Sequence, residues 1–227
     1  MNFLPGWFPG GATKAFPLVV GTPAIFNTEG AAEAHTIPLP SGIAAGERLL
    51  IFFNGSGVNQ TPSGWTKIIE NTGTGAGDLC VFSKIASGSE GASVSVSVQS
   101  GSSVNVAAIT YRVSGAGDIE GTAGSLATSV PPNPPSHAAS WGADKNLWFA
   151  VGAASRAGTT TMLSTSGPSG YGNNQEAQTP QAIPSARHLM CASELAYEAT
   201  DTQDPGAFTL AATPTNSVGG TIVIRPT

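Results

Sequence analysis

The chain has 227 residues and a formal net charge of −5, with only 10% of its residues charged, against about 25% in an ordinary globular protein. At 40% hydrophobic residues it should fold, because disorder requires low hydrophobicity together with high net charge. Nine scattered Lys and Arg residues make no basic stripe for phosphates, which argues against nucleic acid, and no apolar run approaches the roughly 20 residues of a membrane span.

The chain opens MNFLPGWFPGGATK, a tandem of Phe3-Leu4-Pro5-Gly6 and Trp7-Phe8-Pro9-Gly10. Four large apolar side chains between Pro-Gly turns would leave a sticky patch in water, which monomers avoid. Phe3, Leu4, Trp7 and Phe8 are therefore expected to pack, either as a latch on the chain's own fold or as an arm docked on a neighbouring protein. Tryptophan is a favoured interface anchor, and proline lowers the entropy lost on docking. The start has no basic region ahead of an apolar core, so it does not read as a signal peptide, and assembly in a cytoplasm is expected. The expected division is an arm over 1–15 and a β-sandwich over 16–227, the latter built from halves of about 16–115 and 116–227.

Beyond the arm, apolar segments are short and rich in Val, Ile, Phe and Thr, with Gly, Ser, Asn and Pro clusters between them. That is the pattern of many strands joined by turns. The stretch AAEAH, Ala31 to His35, allows one helical turn at most. ERLLIFF (Glu47 to Phe53) reads as a strand, then PSGW (Pro62 to Trp65) as a turn, then TGTGAGD (Thr72 to Asp78) as a hairpin loop. LCVFSKI (Leu79 to Ile85), VSVSV (Val94 to Val98) and VNVAAITYRV (Val104 to Val113) are the next strands. VSVSV alternates strictly, so its valines should cover a core while its serines face outward. Cys80 and Cys191 sit inside apolar runs and read as buried free thiols.

The second half repeats the first. SGIAAGERLLIFF parallels ASWGADKNLWFAV, with Leu49 against Leu147; PSGW parallels PSGY at Pro168; SKIA at Ser83 parallels SELA at Ser193; Arg112 parallels Arg225. Four anchors in one order indicate an internal duplication. Trp65 and Tyr171 then plug equivalent ends of the core after equivalent turns. The junction Gly115 to Pro135, ending VPPNPP, is short enough to be a crossing within one antiparallel, jelly-roll-like β-sandwich.

Residues that carry chemistry are sparse. His35, His137 and His188 are isolated, with no partner at metal-ligand spacing, and read as turn or surface residues. No serine sits in a nucleophile elbow. Asp118 with Glu120, and Asp201 with Asp204, are the clearest carboxylate clusters. A glycosidase would need two such groups facing across a cleft, and both clusters read as surface loops. Glu198, Asp201 and Asp204 form a weak calcium candidate, because that ion takes several oxygen ligands in an irregular loop. Trp65, Trp141 and Tyr171 are the candidates for stacking on a sugar ring. No catalytic residue, cofactor or metal is expected.

The run ERLLIFFNG, PSGWTKI, LCVFSKIASGSEG, VSVSV and ITYRVSG resembles a domain recurrent in the virion proteins of tailed phages and gene transfer agents. The matching positions are Trp65, Lys84, Ala86, Gly88, Glu90, Tyr111, Arg112 and Gly115. What the resemblance implies is a β-sandwich structural module, of the tail-fibre, spike or head-decoration kind, with no catalytic residues. Homo-oligomeric assembly, contacts with other virion proteins and a host-surface glycan as a further partner are the corresponding expectations; a carbohydrate-binding module is the alternative.

Overall fold

The computed structural model describes residues 14–29, 32–55, 60–71, 78–98, 105–158, 160–180, 187–197 and 201–227, and for residues 187–188 and 191–197 it describes the backbone only. The described residues form eighteen strands and no helix. The first half supplies β1 (Leu18–Val19), β2 (Ala24–Thr28), β3 (Ala34–Pro38), β4 (Arg48–Gly55), β5 (Thr66–Asn71), β6 (Asp78–Ile85), β7 (Ser93–Ser97) and β8 (Val106–Ser114). The second supplies β9 (Ala116–Ala123), β10 (Ala127–Thr128), β11 (His137–Ala138), β12 (Asn146–Arg156) and β13 (Ser164–Ser166), then β14 (Gly172–Gln178), β15 (Arg187–Tyr197), β16 (Thr202–Gln203), β17 (Thr209–Leu210) and β18 (Asn216–Pro226).

Two six-stranded antiparallel sheets pack face to face, as the all-β reading required. One runs β1-β8-β4-β6-β5 with β2 also on β8; the other runs β10-β18-β12-β15-β14 with β9 also on β18. Reading β12, β14, β15 and β18 for β4, β5, β6 and β8 turns the first order into the second. Each sheet draws on one half of the chain, and the main core lies between them. Leu50 and Phe52 of β4, Ile109 and Tyr111 of β8, Phe149 of β12 and Ile222 of β18 belong to that one cluster. Phe52, Tyr111 and Phe149 form a triad of tilted and edge-on rings with centroids 5.2–5.3 Å apart. Such pairs add about 0.5–1.5 kcal/mol each to the burial of their area.

Each central sheet is covered again on its outer face, which makes four layers. Over the first, β3 pairs with β7, and Ile37, Val96 and Trp65 close on Leu49, Ile51 and Phe53. In β7 the alternation acts as read, with Val96 buried and Ser93 and Ser95 exposed. Over the second, the β11–β16 and β13–β17 pairs hold Phe208 and Met162 against the sheet. Because β4 is covered on both sides, its sequence is a continuous apolar run rather than an alternating one. Asn54, fully buried near the end of β4, donates from Nδ2 to the carbonyls of Ala154 (3.1 Å) and Leu189 (2.8 Å). It is a polar tie between the two sheets.

Several expectations need correction. Ala34 and His35, in the stretch that allowed one helical turn at most, begin strand β3; residues 30–31 lie outside the described residues. The junction is not a plain crossing, because residues 116–123 are strand β9, paired to β18. His35 is buried and His137 nearly so, since both stand in the covering layers. Asp118 and Glu120 lie on β9 rather than in a loop.

The repeat anchors also slip. Leu49 faces the outer cluster and Leu147 the inner one; one residue of slip in a strand exchanges faces. Pairing registers align the halves with Cys80 opposite Phe53 in one, and Cys191 opposite Gly152 in the other. Leu49 then corresponds to Trp148, and both point into the outer layers. The Cys80 thiol is buried and free, and burial pushes it far above its usual range, so it is inert. The Cys191 side chain and residues 72–77 lie outside the described residues.

Candidate functional site

Lys84, Ala86, Gly88, Glu90 and Arg112 are joined with Glu47 in one lock at an end of the first half, while Trp65 and Tyr111 belong to the outer and inner cores. The Arg112 guanidinium donates to the Glu47 carboxylate at 3.2 Å and to the carbonyls of Gly42 and Val20. The Ala86 amide donates to Glu47 O (2.7 Å), and Gly46 N donates back to Ala86 O (2.8 Å). Glu90 folds over its own loop, accepting from the backbone N–H of Ser87 (2.5 Å) and Gly88 (3.0 Å) and from the Ser87 hydroxyl. Lys84 Nζ stands 3.4 Å from the same carboxylate. The Ser87 amide above all holds Glu90 down to about 2. Gly115 O accepts from Thr227 N, tying the ends of β8 and β18. Each of these contacts joins groups of the chain to one another.

The Glu90 lock has a pH signature. A carboxylate depressed in the fold stabilises it above its unfolded value near 4.3 and loses that contribution as pH falls towards 2. Glu90→Gln should lower the melting temperature by about 2–4 °C at pH 7, and the gap from wild type should close by pH 2. A gap constant from pH 7 to pH 2 would show that the carboxylate charge does not hold the loop.

The two PSG turns do match. Trp65 N donates to Pro62 O (3.0 Å) and Tyr171 N to Pro168 O (3.1 Å). Gly64 and Gly170, at the third position, take φ of +78° and +84°. Proline holds the first place of each turn, so its ring does not set the φ of the second, which is serine. Trp65 is 9% exposed within the outer core, so its ring is a plug and offers no face to a ligand. Tyr171 is half-buried against Trp148 and Phe208 clusters. Trp141 packs on the Trp148 cluster, donates from Nε1 to Asn146 Oδ1 (3.0 Å) and carries the Arg225 guanidinium over its ring at 5.6 Å. The three aromatic candidates are not brought together as one platform: Trp65 belongs to the first half's outer layer, Trp141 and Tyr171 to the second's.

Asp201 and Asp204 are exposed, and Asp201 O accepts from Ala139 N; Glu198 lies outside the described residues. Among the described residues no group of three His, Cys, Asp or Glu side chains could hold a metal ion. Phe3, Leu4, Trp7 and Phe8 also lie outside the described residues. The first described residue, Lys14, stands 3.5 Å from Asp144.

What the structure does assemble is an open groove of about 380 Å³ beside β5 and β9. Asp118 and Glu120, two apart on β9, are joined there by Arg48 from β4, Thr66 from β5 and Ser140 with Trp141 from the loop before β12. Arg225 pairs with Asp118 at 2.5 Å, and this ion pair is exposed. Glu120 accepts from Ser140 N and faces His137 Nε2 at 3.6 Å. Burial lowers the His137 pKa, against the opposing pull of Glu120. Arg48 donates to Gly117 O (3.0 Å) and to Ser83 Oγ (2.9 Å). Burial lowers its pKa as well, and Asp118 opposes the shift. In sequence, Asp118, Glu120 and Trp141 were the visible part of this groove; Arg48, Thr66, Ser140 and Arg225 come from distant segments and carry no local signal.

Comparison of the chain with protein-family models, with curated proteins and with solved structures finds no match.

Proposed function

We propose that the chain is a non-enzymatic virion structural protein, a compact spike, fibre or head-decoration subunit held to its particle through its N-terminal arm. The observation that carries this reading is the lock around Glu47, Glu90 and Arg112. The residues of the phage-type pattern able to do chemistry, Lys84, Glu90 and Arg112, are paired inside the fold, which favours a structural use of that pattern. A chain with only 10% charged residues suits close packing against neighbours, and particle symmetry favours a closed homo-oligomer.

Attachment should be only weakly salt-dependent, since few charges are available to screen. Deleting residues 1–14 should leave a folded protein that no longer enters particles. Normal incorporation of that truncated chain would remove the arm from the mechanism. Failure of antibodies against the folded domain to label purified particles would remove the virion assignment itself.

A further inference from the structure

We propose that the groove beside β5 and β9 binds a saccharide through vicinal hydroxyls, with Asp118, Glu120 and Arg48 as its polar contacts and the Trp141–Arg225 stack as its wall. The first support is an asymmetry between two seams built alike. The strand orders of the two sheets correspond, so the seam of β5 with β9 has a counterpart where β14 meets β2. A groove of about 390 Å³ lies there too, lined by neutral residues including Thr22, Pro23, Asn173 and Gln175. Neutral side chains therefore suffice to close such a seam, and the ionic set at β5–β9 is not demanded by the packing.

The second support is scarcity. In a chain with nine Lys and Arg and fourteen Asp and Glu residues, Arg48, Asp118 and Glu120 line one open groove, and Arg225 is paired to its Asp118 and stacked on its Trp141. The exposed pair Arg225–Asp118 adds little stability, because surface pairs contribute about 0–1 kcal/mol.

The third support is chemistry. Hydroxyls both donate and accept, so a diol can give two hydrogen bonds to a carboxylate and take two from a guanidinium, and charge-assisted bonds are the stronger kind. Thr66 and Ser140 add hydroxyls, and Ile68, Ile119 and Trp141 supply apolar surface for the C–H side of a sugar ring. The indole holds Arg225 in a fixed plane rather than receiving the sugar on its own face. Convergent polar groups in a partly apolar concavity are the usual form of a small-ligand site.

The test uses the full-length chain on an array of neutral and uronic-acid-containing oligosaccharides, followed by titration of any retained glycan. Asp118→Asn alters an exposed carboxylate, and should weaken binding at least tenfold with melting unchanged. Glu120→Gln, which keeps an acceptor for Ser140 N, should act likewise, while Gln175→Ala at the neutral seam should bind as wild type does. Retention of no glycan, or retention indifferent to Asp118→Asn, overturns the proposal. A chain that enters particles yet fails on the array keeps its particle role and loses this ligand, so the two readings fail separately.

Discussion

Truncating Phe52 to alanine lowers the unfolding free energy by about 3–5 kcal/mol and displaces one transition of the whole chain. Phe52 is fully buried, and its ring meets Tyr111 of its own sheet and Phe149 of the opposite one, each at 5.3 Å. The side chain lies where the two halves join, so the loss is shared by both. Phe52→Ala and Phe149→Ala should also fail to add, with an interaction term of about 0.5–3 kcal/mol, because the rings touch. Urea denaturation followed by tryptophan fluorescence, with cross-checks by circular dichroism, measures both effects. Two separate transitions, only the first moved by Phe52→Ala, would mean that the halves unfold independently and that the inter-sheet core does not couple them.

Gly219→Ala should destabilise the chain at the upper end of the about 1–3 kcal/mol typical of overpacking, or beyond it. A Cβ at Gly219 would lie 2.3 Å from Asn133 C and from Pro134 N, which are backbone atoms that cannot rotate away. The reason for this close approach is the clasp around it. Ser217 and Thr221, two residues to either side on β18, donate their hydroxyls to Val130 O (2.7 Å) and Pro135 O (2.5 Å). The proline-rich segment VPPNPP has few amides to give, so it is held by its carbonyls and settles into the gap that glycine leaves. Thr110 donating to Pro38 O (2.8 Å) is the first half's version of one such contact. Gly172→Ala, where nothing lies within 4 Å, should stay within about 0.5 kcal/mol of wild type. Thermal melts that rank the two substitutions equally would show that the segment does not press on β18.

The turns and the strands could be read from the chain because both are written locally. Pro62-Ser63-Gly64-Trp65 closes with a positive φ at its glycine, and VSVSV shows its buried face by alternation alone. The strands at the centre gave no such guide. ERLLIFF and NLWFAV are covered on both sides, so alternation is absent, and nothing in the residues says which of two neighbours faces in. Leu49 and Leu147 therefore look like equivalents and are not. His35 and His137 read as surface residues because a four-layer arrangement, in which even the covering strands have an inside, was not visible from spacing.

The class of fold, the repeated turns and the shortage of charge are all legible in the residues, since propensity, turn chemistry and composition act over a few positions. Which sheet faces which, and where the few charges meet, depends on the folded arrangement. Arg48, Asp118, Glu120 and Arg225 are neighbours because β4, β9 and β18 converge at a seam, and convergence of strands far apart in the chain is set by burial of the common core rather than by any local pattern.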